Sequence, residues 1–246
     1  MSDGVRAGNN GRQIASIFQA TTGLCVFGFS LVHVGGHALA PVSLGVSNAA
    51  LFALREAVQN PVVEGALFAA ISSHAALGLL KRRWWRSRPD KWFTYSGLFL
   101  AAAIPFHLAA TRLIPAAYST HVDLAFVAQG MNVFHSRPIL STLFYPYYVL
   151  LGSAGLYHGI LGTAKSLRLL RVPDWIPSSL RYMERNKVAL GGVLLAWMGV
   201  TVLAINGWSG SVFPLGGDRI YVSPAAARAM EVLHDNVVRI LTLGWL

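Results

Sequence analysis

Five long apolar stretches, at about 14–39, 62–80, 94–115, 141–165 and 188–206, constrain this chain more than anything else in it. About 20 helical residues cross the roughly 30 Å hydrocarbon core of a bilayer, and each stretch is close to or above that length. The expectation is an all-α, polytopic membrane protein with five transmembrane helices. With 54% hydrophobic residues and only 12% charged, the chain is too apolar for an ordinary soluble domain.

The distribution of charge supplies the orientation. If the N-terminus marks side one, Arg6 and Arg12 lie there with "KRRWWRSRPDK" and the basic residues of "KSLRLLRVPDWIPSSLRYMERNK". Side two and its flanks keep only Arg55, Arg112, Arg137, Arg219, Arg228 and Arg239. This is the positive-inside bias, and it places side one in the cytosol or its equivalent. The formal net charge of +10 then reflects topology and contact with lipid headgroups, and nucleic acid is not expected as a partner. Trp84, Trp85, Trp92, Tyr95, Trp175 and Tyr182 on side one, with Tyr145, Tyr147, Tyr148 and Trp208 on side two, suit interfacial belts.

Residues 1–13 read as an N-terminal tail without a cleaved secretory signal, 14–206 as the membrane domain and 207–246 as an interfacial tail. The connections at about 40–61, 116–140 and 166–187 are expected at the interface, and no repeat of 20–50 residues is found. Within the last tail, Ser223 and Pro224 open an amphipathic helix, with Met230, Leu233, Val237, Ile240 and Leu241 on one face. The single cysteine, Cys25, excludes an internal disulfide or a cysteine-based metal site and reads as a small packing residue.

Of eight histidines, five fall inside the apolar stretches, where an ionisable side chain is costly enough to make function the default reading. Depth sorts them. His33, His37 and His107 lie late in spans that run from side one to side two; His74 and His158 lie late in spans that run back. Two levels follow, separated by roughly 10 to 15 Å at 1.5 Å per residue. Histidines paired across a four-helix bundle at two depths provide what bis-histidine haem b requires. The expected ligand pairs are His33 with His107 and His74 with His158, for one or two haems. His37 would line the pocket edge, while Gly35, Gly36, Gly155 and Gly159 would leave room for the macrocycle. Lys81, Arg82 and Arg112 are candidate cations for its carboxylates. His121, His135 and His234 fall in loops or the tail and carry no assigned role. No carboxylate sits at zinc-ligand spacing in the spans, and no Ser/His/Asp set or phosphate loop is visible. The chain has no complete catalytic site of its own.

"SIFQATTGLCVFGFSLVH" resembles the first-span signature of the cytochrome b membrane anchors of succinate dehydrogenase and fumarate reductase. Ser16, Ile17, Thr22 and Gly23 match it, and Gln19 and Ala20 replace its His and Arg. "FHLAATRLIPAAYSTHVDLAFVAQGM" and "YPYYVLLGSAGLYHGILG" resemble the Mcp-type mitochondrial transmembrane family through His107, Arg112, Pro115, the 124–131 stretch, Tyr148 and His158. That resemblance implies a five-span, haem-binding mitochondrial membrane protein linked to lipid homeostasis. The anchor resemblance implies instead a subunit of a complex II-like quinone oxidoreductase, with quinone and respiratory-complex subunits as partners. A haem-free structural or lipid-handling bundle is the third expectation.

Overall fold

The protein, seen in a computed structural model, is described over residues 3–82, 90–119, 122–124, 126–128, 138–171 and 177–206, with 228 and 232. His121, His135, His234, the side chain of Arg82 and nearly all of the expected C-terminal amphipathic helix lie outside the described residues.

Among the described residues the fold is all-helical: α1 (Asp3–Ala38), α2 (Leu44–Val58), α3 (Pro61–Arg82), α4 (Lys91–Leu108), a π-helical turn (Ala109–Leu113), α5 (Ile114–Ala117), α6 (Pro138–Leu169), α7 (Ser178–Arg185) and α8 (Lys187–Ile205). Four segments are both long and apolar enough to cross a membrane: Asn10–Ala38, Pro61–Lys81, Lys91–Ala117 and Lys187–Ile205. They coincide with four of the five expected spans. The remaining stretch, 141–165, lies within α6, whose 32 residues have ample length. Its apolar character is diluted by Tyr145, Tyr147, Tyr148, Tyr157, His158 and several glycines.

Between α1 and α3 the sequence suggested a connection, and the chain forms α2 there. Ser43 caps it by accepting from Val46 N at 3.3 Å. Its 15 residues give a length of only about 22 Å, too short to span. It docks back on α1, where Ser47 Oγ donates to Gly36 O at 2.7 Å and the Leu51 side chain lies over Gly36. At side two a small core joins Ala40, Leu124, Ala128, Val202 and Ile205, with Leu51 and Tyr148 against it. Cys25 is exposed on the outer face of α1, so it is not part of the interior packing.

Four helices close a ring in which α1 packs on α3, α3 on α4, α4 on α6 and α6 on α1. The tightest approach is between α1 and α6, where the Phe27 ring occupies the space a side chain would need at Gly159. Outside the ring, α8 covers α6, with Ser153 Oγ donating to Leu194 O at 3.2 Å. The side-one ends are tied by Lys187 to Asp90 at 2.6 Å and by Arg168 to Glu184. Asp90 also caps α4 through Phe93 N.

Candidate functional site: two imidazole pairs across the ring

Packing neighbours in the ring share an edge, so α1 faces α4 across one diagonal and α3 faces α6 across the other. Each diagonal carries one histidine pair. The rings of His33 on α1 and His107 on α4 have centroids 6.2 Å apart, inclined at 65°. Those of His74 on α3 and His158 on α6 are 6.3 Å apart, inclined at 84°. The separations match although the helices differ.

The side-one pair is anchored by backbone. His74 Nδ1 lies 3.0 Å from the carbonyl oxygen of Gln19, and His158 Nδ1 lies 3.2 Å from that of Phe93. A carbonyl oxygen only accepts, so Nδ1 carries the proton in both rings and Nε2 keeps its lone pair. Around His158, Ser96 Oγ donates to Phe93 O at 2.9 Å and stands 3.3 Å from Nδ1, closing a small network. Phe93 stacks on His158 with centroids 4.3 Å apart and planes 10° from parallel.

Both rings also sit in glycine notches. A Cβ at Gly23 would lie 2.6 Å from Cε1 of His74, and one at Gly97 would lie 2.6 Å from Cε1 of His158. Gln19 and Phe93 each precede their notch by four residues, one helical turn. His33 and His107 each follow it by ten, so about 15 Å separates the levels along α1 and along α4. α1 with α3 therefore repeats the layout of α4 with α6. Carbonyl, glycine and outer histidine lie on the first helix, and the inner histidine lies on the second. The letters follow this geometry, since "TGL" and "SGL" open the two first-helix segments and "HAALGLLK" matches "HGILGTAK". This unit exceeds 50 residues, beyond the 20–50-residue periods at which the sequence shows no repeat.

The side-two pair is held by rings. Phe29 stacks on His33 at 5.4 Å, His37 meets it edge-on at 5.0 Å, and Tyr148 stands 6.3 Å from His107. His107 Nδ1 is buried and has no hydrogen-bond partner among the described residues. Beyond it, the π-helical turn carries Arg112 outward, where Nε and Nη2 grip the Glu64 carboxylate of α3, Nη2 at 2.8 Å. π-Turns of this kind are frequent next to functional groups. Glu64 is the partner that sequence reasoning missed.

The remaining sequence-derived residues divide. A Cβ at Gly35 or Gly155 would meet nothing within 4 Å, whereas Gly36 is covered by Leu51 and Gly159 by Phe27. Lys81 Nζ donates to Ser16 Oγ at 2.8 Å near the side-one level. Among the described residues no group of three or more His, Cys, Asp or Glu is arranged to hold a metal ion. No protein family, curated protein or solved structure was found to match the chain.

Proposed function

We infer that this is a cytochrome b-like membrane protein that holds b-type haem between facing imidazoles, His33 with His107 and His74 with His158, at one or both levels. The observation carrying the reading is the pair of cross-diagonal separations, 6.2 and 6.3 Å. Two imidazoles ligating one metal from opposite sides have ring centres about 6 Å apart, because each metal–nitrogen bond is about 2 Å and the nitrogen lies roughly 1 Å from the ring centre. Two imidazoles alone make a poor site for a bare ion, but they are the complete axial set for an iron already held by a porphyrin.

The chain's own residues suit that group. At side one, Nδ1–H donated to a backbone carbonyl fixes each ring's tautomer and aims, as well as strengthening Nε2 as a ligand. The notches at Gly23 and Gly97 let the rings take these positions, and Gly35 and Gly155 leave open space along α1 and α6. Lys81 at side one, with Arg112 at side two, would supply cations to the porphyrin carboxylates, a role the sequence also offers to Arg82. Arg112 would share its guanidinium with Glu64. His37 completes the side-two edge.

Held by these imidazoles, haem would supply one-electron transfer or structural support. In this reading α6 is the fifth transmembrane helix. The Mcp-type resemblance favours a mitochondrial membrane, with membrane lipids as partners and a role in lipid homeostasis or electron transfer. Ser16, Ile17, Thr22 and Gly23 keep open the second reading, a haem-bearing anchor of a complex II-like quinone oxidoreductase; co-purifying flavoprotein and iron–sulfur subunits would favour it. A third reading, a haem-free structural or lipid-handling bundle, has the same histidines bonded within the protein. A reduced-minus-oxidised optical spectrum of the purified chain decides first: b-type bands are expected, and a folded chain without them sinks the proposal.

A further inference from the structure

The repeated half-bundle extends past its inner histidine to a cation. "HAALGLLK" ends in Lys81 and "HGILGTAK" ends in Lys165, each seven residues beyond its histidine. Seven residues are two helical turns and about 10 Å, so each lysine lies on its histidine's face, toward side one. Lys81 Nζ donates to Ser16 Oγ at 2.8 Å, three residues before the Gln19 carbonyl that anchors His74. Lys165 Nζ stands 3.4 Å from the centre of the Phe93 ring, which in turn stacks on His158. The two ammonium groups thus sit on the side-one flank of the same imidazole pair, each against the residue cluster that holds one of the rings.

Neighbouring cations are differently engaged. Lys187 pairs with Asp90, Arg168 with Glu184 and Arg112 with Glu64. Among the described residues neither Lys81 nor Lys165 has a carboxylate partner; a hydroxyl and an aromatic face hold them. Lys81 is half-buried, and the exposed Lys165 feels Asp90 and Glu184 only at longer range, so a ligand with two anionic groups would give both ammonium groups a direct partner at once. The side-two level has no counterpart, because the positions seven residues beyond His33 and His107 are Ala40 and Ile114.

We propose that Lys81 and Lys165 form a two-point clamp for the paired carboxylates of a porphyrin held at His74 and His158. This assignment rests on the haem reading above and adds Lys165 to the site. It gives the side-one level two cations without a carboxylate partner, against the single Arg112 already shared with Glu64 at side two, and so makes the side-one level the more sensitive to porphyrin carboxylates.

The test is titration of the full-length, detergent-purified apoprotein with haem b and with haem dimethyl ester, whose carboxylates are masked. His107→Ala isolates the side-one level and His74→Ala the side-two level. At side one, haem b is expected to bind at least about tenfold more tightly than the ester, about 1.4 kcal/mol. Lys81→Gln or Lys165→Gln should each narrow that ratio, the double variant should bring it close to one, and Lys→Arg at both positions should preserve it. A ratio unchanged in the double Gln variant, or one lost equally in the Arg variant, overturns the clamp alone. Uptake of neither porphyrin by folded wild-type protein overturns the haem assignment, and the clamp with it.

Discussion

The two histidine levels have nearly the same ring separation but are built differently. At side one both imidazoles are pinned by a backbone carbonyl and seated in a glycine notch. At side two His33 leans on Phe29 and His37, and His107 Nδ1 has no hydrogen-bond partner among the described residues. Backbone anchors leave a ring little freedom, whereas ring-on-ring contacts permit small rotations at little cost. The side-one site is therefore the preorganised one. The side-two site depends more on its third histidine and on the Glu64–Arg112 ion pair beyond it.

The largest effects should come from the four histidines proposed as ligands. His158→Ala or His74→Ala should remove one haem signal, His33→Ala or His107→Ala the other, as followed by optical difference spectra. Retention of both signals in all four variants would refute the pairing. Next come the notches: Gly23→Ala or Gly97→Ala forces a carbon to within 2.6 Å of an imidazole carbon and should cut side-one occupancy severalfold while sparing side two. Overpacking of this kind costs about 1–3 kcal/mol. Gly35→Ala is the control, since its added carbon meets nothing, and a loss as large there would contradict the notch argument.

Glu64→Gln should lower thermal stability by about 2 kcal/mol, because it leaves the Arg112 guanidinium unpaired within a membrane-spanning helix. Arg112→Gln in the same chain should restore part of the loss, and a double variant no more stable than Glu64→Gln would argue against the pair. The smallest effect concerns pH. Hydrogen bonding to Arg168 holds the Glu184 carboxyl below its ordinary range, so its contribution is present above that range and fades as pH falls through it. The pair is partly exposed and contributes under about 1 kcal/mol. Glu184→Gln should slightly flatten the acid limb of a melting-temperature profile; a steeper limb would reverse the sign argued here.

How much of this was legible in the sequence depends on what kind of partner each residue has. Span length and apolarity are properties of runs, so four spans could be read from the sequence. Ring proximity followed from position along the span, since the diagonal helices run the same way and bring equal positions together. The carbonyls of Gln19 and Phe93 could not be read, because every residue offers a carbonyl and only packing chooses one. Gly36 and Gly159 looked like space for a macrocycle, yet Leu51 and Phe27 fill them; small residues mark close approach without naming what approaches. α2 was hidden because its 15 residues fall below spanning length and its packing surface becomes visible only against Gly36. Glu64 and Arg112 stand 48 positions apart, and the π-helical turn that swings Arg112 toward α3 leaves no periodic trace.

Haem stoichiometry tests the central claim most directly. Pyridine haemochrome assay of the purified full-length chain, with protein measured by amino-acid analysis, should give one or two b-type haems per chain, falling by one in His158→Ala. A well-folded helical chain that contains no haem, and acquires none when haem b is supplied, would contradict the account.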